Sequence, residues 1–305
     1  MGLHWGSEHL KSLPPELIAQ LKSAETDPWI YLTPEQETRQ PVCNGKTGEI
    51  IAYIEAISTR RVSRSRLRKI LSQGLDIQFG RKLVDIELSQ DASYVTAICA
   101  DGLRVTGNTL VGCDAANSFV RTWLLGEELA KCDEMPMISY NFSCQYSAEQ
   151  AAWLRNHYSH PLMSVAPHPE QHTWYIQPVL NVKDPNDPSS WVFQHFLSLW
   201  TDDDTPLTSK QRLAHFKALA VNYAEPFRSA AVWVKDDTHV PYDRIKHWPS
   251  IKRWNNHNGR VTLAGDAAHP MAPCKRSVTR RTACALLTKT TRSRSRPQQR
   301  VDGRC

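Results

Sequence analysis

The stretch Arg260-Val261-Thr262-Leu263-Ala264-Gly265-Asp266-Ala267-Ala268-His269-Pro270-Met271-Ala272-Pro273 decides how this chain is read. Val261–Leu263 is apolar and partly β-branched, the composition of a short buried strand. Gly-Asp stands at its carboxyl end, followed by two alanines and a turn bounded by prolines. Small residues let the backbone approach a ligand closely. A carboxylate at the end of a strand suits the hydroxyls of a ribose-type diol. A bare Gly-Asp pair is most often a turn, whereas the whole run in this order is far more specific. His269 reads as a proton relay or, with more weight, as a structural residue of a tight turn.

Two further runs lie upstream. Thr109-Leu110-Val111-Gly112-Cys113-Asp114-Ala115-Ala116-Asn117-Ser118-Phe119-Val120-Arg121 has a strand ending in Gly, with Asp114 opening the turn after it. On local physics alone Asp114 is a helix cap and Arg121 a surface cation. In Arg60-Arg61-Val62-Ser63-Arg64-Ser65-Arg66-Leu67-Arg68-Lys69-Ile70-Leu71, the apolar Leu67, Ile70 and Leu71 fall at i, i+3 and i+4. That spacing predicts a helix, which by itself would be a solvated basic one.

Taken in order, the three runs resemble the class A FAD-dependent monooxygenases, the p-hydroxybenzoate hydroxylase-like family in its fungal form. Residues 260–273 look like that family's second FAD motif. Residues 109–121 are similar to its Asp-Gly motif, G-C/A-D-G-x-x-S-x-V-R, and residues 60–71 to its V-x-R-x-x-L-x-x-x-L helix. The resemblance implies an α/β fold, a Rossmann-like FAD-binding domain with an inserted mainly-β substrate domain. It implies FAD and NAD(P)H as cofactors, with a reduced nicotinamide reducing the flavin and molecular oxygen as co-substrate. One oxygen atom then enters an aromatic or polyketide-like small molecule, while the protein positions the reactants and excludes water. By the same resemblance Arg64 starts its helix and reaches the FAD side. Asp114 and Arg121 lie by the pyrophosphate and the nicotinamide approach path. Gly265 and Asp266 meet the ribityl chain, and Pro270 and Pro273 shape the turn facing the flavin ring. A helix beyond Pro273 would aim its positive end at the flavin. The resemblance assigns no catalytic side chain, and no metal site is read from the sequence. One departure is local: Ala115 stands where the family has Gly, so a positive φ there would carry strain.

Two other departures lie at the ends. The 305 residues contain no G-x-G-x-x-G, the loop that holds the FAD pyrophosphate in this family. A truncated start is therefore expected, with weaker similarity beginning at Gly2-Leu3-His4-Trp5. Pro14 and Pro15 then open a short helix with Leu17, Ile18 and Leu21 on one face. Residues 274–305 hold ten of the 37 basic residues and one of the 31 acidic ones, so the tail carries +9 and the remainder −3 of the net +6. Read one base earlier, the codons of residues 278–282 permit Gly-Asp-Ala-Ala-Asn, similar to the family's segment just after this motif. The expectation is an aberrant, out-of-frame, disordered basic tail, and a chain that holds FAD poorly or not at all. Two alternatives stay open: a catalytically dead pseudoenzyme, and a basic-tailed nucleic-acid-binding module.

The expected organisation is a partial FAD-binding domain over 1–130, a substrate sheet over 131–235, a return to the FAD-binding domain over 236–273, and the tail. Ile138-Ser139-Tyr140-Asn141-Phe142-Ser143-Cys144-Gln145-Tyr146 alternates with period two, as a half-buried strand does. Residues 172–179 and 191–196 give two more aromatic strands, with a loop over 185–190 between them. Ser209–Ala220 comes next as a helix with Leu213, Phe216 and Ala220 on one face. Trp174, Tyr175, His195 and Phe196 are candidates for a substrate pocket. No apolar run reaches 18 residues, so no spanning helix is coded. Eight irregularly spaced cysteines show no zinc pattern, and reduced thiols in a cytoplasmic protein are the default expectation.

Overall fold

The computed structural model describes residues 2–3, 5–56, 58–203, 205–248 and 254–270. The chain passes through helix α1 (Arg64–Leu71), strand β1 (Leu110–Gly112) and helix α2 (Phe119–Leu125). Strand β2 (Asp133–Cys144) comes next, then helix α3 (Ala148–His157) and strands β3 (Met163–Pro167), β4 (Thr173–Asn181) and β5 (Val192–Trp200). Helices α4 (Ser209–Ala220) and α5 (Phe227–Val232) lead to strand β6 (Val261–Leu263). These elements belong to two compact units, residues 1–79 with 136–244 and residues 80–135 with 245–305. Pro273 and the tail 274–305, with the frameshift reading attached to them, lie outside the described residues.

The first unit is organised by an antiparallel sheet in the order β3, β4, β5, β2, with Asp243–His247 beyond β2. Tyr175 pairs with Leu197 and Ala166, and His195 with Phe142. Alternation sends Tyr140, Phe142, Tyr175 and Leu197 to one face, against Leu213, Phe216 and Ala220 of α4 and Phe227 and Ala231 of α5. The predicted apolar face of α4 is thus the one that is buried. Thr208 begins that helix with a reciprocal cap to Gln211, which fixes its start. The opposite sheet face carries Met163, Val165, Trp174 and Ile176, packed on Val42, Ile51 and Ala52 of the hairpin Arg39–Cys43 and Ile50–Glu55. Helix α3 buries Ala151 and Leu154 with Val179, Val182 and Phe193.

Elsewhere in this unit, α1 packs Leu67 and Ile70 on Ala24 and Val62. Its start is fixed by Ser63, whose hydroxyl accepts from the Arg66 N–H at 3.4 Å. Arg60 and Arg61 form a two-residue strand before it rather than part of the helix. Of the face expected near the start of the chain, Leu17 and Leu21 pack on this cluster while Ile18 is exposed. The helix there is a single turn, Pro15–Ile18, too short to bury a full stripe.

In the second unit, β1 and β6 run parallel, with Val261 opposite Leu110 and Leu263 opposite Gly112. Helix α2 and the antiparallel strands Leu83–Leu88 and Val95–Cys99 complete a core of Ile86, Val95, Val120, Val261 and Leu263. Gly112 is required by packing: a Cβ there would lie 2.6 Å from the Val120 Cβ. No helix among the described residues is long and apolar enough to cross a membrane.

Candidate functional site

The parallel register brings the carboxyl ends of β1 and β6 side by side, and the Ala264 N–H continues the ladder to the Gly112 carbonyl at 2.9 Å. Ligands of open parallel sheets bind beyond such ends. The turn after β6 is a single 3-10 turn, Gly265–Ala267. Gly265 has φ +60 and nothing within 4 Å of where a Cβ would stand, so its backbone is open to an incoming group. Asp266 is exposed on this turn, as is His269, whose N–H closes it on the Gly265 carbonyl at 3.0 Å. The turn therefore offers accessible backbone and one carboxylate at the end of a parallel strand.

Behind this surface the run of residues 109–121 acts as a brace. Asp114 accepts from the Ser118 hydroxyl at 2.5 Å and from the Val120 N–H at 3.1 Å, and Ser118 caps α2 through the Arg121 N–H at 2.9 Å. The N-cap is thus Ser118 rather than Asp114, which reaches the same helix start through the Val120 N–H. Ala115 adopts φ +65, the strained conformation its substitution for Gly predicts. Arg121 is not a surface cation: it is 2% exposed. Its Nε donates to the Ala130 carbonyl at 2.9 Å, Nη1 to the Ala267 carbonyl at 2.8 Å, and Nη2 to the Ala116 carbonyl. The Trp248 ring lies 5.2 Å from its guanidinium carbon. With its fork spent on three carbonyls, Arg121 shapes the Gly265–Asp266 turn from behind.

Arg64 belongs to the first unit, where it is the exposed first residue of α1. It lines a cleft of about 1120 Å³ together with Trp29, Arg61, Arg66, Asn141 and Gln194. Arg66 donates to Asn181 Oδ1 at 2.8 Å. Sequence reasoning missed Arg61. In the sequence it is one of six cations in a twelve-residue run, and nothing there marks it as buried.

The four aromatic and histidine candidates of the sheet separate by face. Trp174 and Phe196 are partly exposed on the face away from α4. Tyr175 and His195 are core residues at 0% exposure, which removes them from any substrate pocket. His195 is stacked on Phe142 with ring centroids 4.9 Å apart. Tyr146 donates its hydroxyl proton to the Ala230 carbonyl at 2.8 Å, so at 2.7 Å it accepts from His195 Nε2–H. Nδ1 is then the acceptor for the Tyr175 hydroxyl. Burial pushes the His195 pKa down to about 3 and the Tyr146 and Tyr175 hydroxyls well above their ordinary range. This is a satisfied neutral network.

Comparison with known proteins identifies the family. A family model described as FAD binding domain matches residues 51–275. The FAD-dependent monooxygenase phnB of Penicillium herquei is 32% identical over 277 residues, covering 90% of this chain and 66% of the relative. The FAD-dependent monooxygenase cctM of Talaromyces islandicus is 34% identical over 273 residues, covering 88% of this chain and 66% of the relative. The structure of Klebsiella pneumoniae HpxO complexed with FAD and uric acid shares the fold, with a TM-score of 0.58 at 18% identity over 82% of this chain and 60% of that one. The chain spans 66% of the length of these two fungal relatives. With the matched region covering most of the chain and relatives above 30% identity, it belongs to the FAD binding domain family that includes fungal FAD-dependent monooxygenases.

Proposed function

We propose that this chain is the flavin-contacting and substrate-covering part of an FAD-dependent, NAD(P)H-using monooxygenase that hydroxylates an aromatic or polyketide-like small molecule. The observation that carries the proposal is the open Gly265–Asp266 turn at the joined carboxyl ends of β1 and β6. When bound, FAD would supply the activation of molecular oxygen. The residues present fit a ribityl chain. Asp266 would accept from its hydroxyls, Gly265 would let the backbone come close, and Asp114 and Arg121 would hold the turn and α2 in place. Arg64, exposed at the start of α1, is assigned to the cofactor. Residues 1–130 and 236–273 would supply most of the cofactor side and residues 131–235 most of the substrate layer.

The experiment is a flavin titration. No G-x-G-x-x-G occurs in the 305 residues, so the chain alone should hold FAD weakly and emerge colourless. Joined to a glycine-loop βαβ unit, it should become yellow. In that protein Asp266→Ala should weaken FAD retention about 10- to 100-fold, the worth of a charge-assisted hydrogen bond. Lys210→Ala, in the first turn of α4, serves as the control and should change nothing. Equal retention by Asp266→Ala and its parent would remove the basis of the proposal.

A further inference from the structure

The cleft of the first unit is lined by four cations, Arg61, Arg64, Arg66 and Lys183, and no Asp or Glu is among its described lining residues. Nearby Asp27 is already committed to Arg155 at 2.8 Å. Arg61 differs from the other three. It is 8% exposed and its Nε has no hydrogen-bond partner. Nη1 meets only the Met163 sulfur at 3.9 Å, and Nη2 reaches Gln194 Oε1 at 3.4 Å, both at the long limit of hydrogen bonding. Burial without a carboxylate lowers its pKa to about 10. The Tyr158 hydroxyl, within electrostatic reach, is also buried without a partner. A buried cation so poorly satisfied is costly, and one that opens on a cleft is poised for an anion.

We propose that Arg61 anchors the carboxylate of an organic substrate through the Nη2 end of its guanidinium. This rests on the reading of the chain as part of a small-molecule hydroxylase, and it names the charge of the molecule taken. Nη2 is only part-buried and weakly held by Gln194, and its N–H groups can form charge-assisted hydrogen bonds to carboxylate oxygens. Beside it stand neutral amides, since Gln194 Nε2 donates to Asn141 Oδ1 at 2.7 Å. Met163 and Val62 are apolar neighbours that favour a planar, delocalised, singly charged group. The first turn of α1 lines the same cleft and adds its positive end. Trp29, 56% exposed at the wall, offers a ring face to an aromatic body. A phosphate, bulkier and more strongly hydrated, is better served by the exposed Arg64 than by this single buried fork.

The test titrates 2-naphthoate, a fluorescent planar carboxylate, into the full chain, with 2-naphthamide and pyrophosphate as comparison probes. The carboxylate should bind at least about 10-fold more tightly than the amide. Arg61→Gln should weaken 2-naphthoate at least about 10-fold and leave 2-naphthamide unchanged. Arg61→Lys, which keeps the charge without the fork, should fall between. Lys69→Gln, outside the cleft, should leave both probes unchanged. Circular dichroism checks each variant, and if Arg61→Gln does not fold, the acid–amide comparison in the parent and the Arg61→Lys result still decide. Equal binding of acid and amide, or full retention of 2-naphthoate by Arg61→Gln, would overturn the assignment. Pyrophosphate competing better than 2-naphthoate in an Arg61-dependent way would overturn it in favour of a phosphate. FAD affinity, read separately from flavin fluorescence in the chain joined to its glycine-loop unit, tests the flavin reading and is independent of the naphthoate result.

Discussion

Arg121 Nη1 donates to the Ala267 carbonyl at 2.8 Å, across 146 residues of sequence, and so ties the helix of one motif to the turn of the other. The same guanidinium holds the Ala130 and Ala116 carbonyls. Removing it would leave three acceptors in the interior of the second unit, while the unit's apolar core would remain. Arg121→Met is therefore expected to destabilise this unit by about 3–5 kcal/mol, as when one partner of a buried polar set is lost. Arg121→Lys should recover only part, because an ammonium cannot reach three carbonyls in a fork. Urea unfolding followed by tryptophan fluorescence measures both, and a change within about 1 kcal/mol for Arg121→Met would show that the brace contributes little.

Ala115 at φ +65 carries the steric cost of a left-handed conformation with a Cβ. Ala115→Gly should stabilise the chain by about 1 kcal/mol, somewhat offset by the greater freedom of Gly in the unfolded state. A lower midpoint of thermal unfolding for this variant would contradict the strain argument.

Gly112 makes the opposite case. A Cβ there would meet Val120 Cβ at 2.6 Å and Leu263 Cδ2 at 3.0 Å, so α2 would have to move off β1 and β6. Gly112→Ala should cost about 1–3 kcal/mol through overpacking. Combined with Val120→Ala, part of that loss should return. Purely additive losses in the double variant would mean that the clash is not with Val120.

Acid should weaken the first unit through His195. Its folded pKa, about 3, lies below its unfolded value near 6.5, so the unfolded state takes up the proton first. Stability from this group is complete above about pH 6.5. It falls by up to about 1.4 kcal/mol per pH unit as pH drops from there towards 3. Burial lowers the pKa values of His160 and His168 in the same direction, so their contributions add to the slope. In His195→Gln the slope of unfolding free energy between about pH 6 and pH 4 should fall by about one proton, whatever the variant's absolute stability. An unchanged slope would place the titration on other groups.

Much of the local structure was legible because it is local. Helix α4 begins at the predicted Ser209 since Thr208 and Gln211 cap each other, and its face comes from spacing alone. Strand β6, the turn at Gly265–Asp266 and the strain at Ala115 could be read from residue type and order, as could the pairing of β1 with β6 once both motifs were taken to face one ligand. The short stretch near Pro15 was harder. A single turn has too few residues for periodicity to say whether Ile18 or its neighbours face the protein.

Residue order alone carried the family, the ordered motifs and the positions of Gly265, Asp266 and Arg64, because backbone demands and capping act over a few residues. Contacts between distant segments decided what several other residues do. Alternation in β4 and β5 puts Tyr175 and His195 on one face and Trp174 and Phe196 on the other, but the helices packed against the sheet determine which face becomes core. Arg121 and Arg61 carry the same side chain, Arg61 in a run of cations and Arg121 among uncharged neighbours. One is satisfied by carbonyls from distant segments, and the other is buried with an unpartnered Nε at a cleft. Whether a cation is braced or poised depends on which acceptors the fold brings within about 3 Å, and no reading of neighbouring residues supplies that.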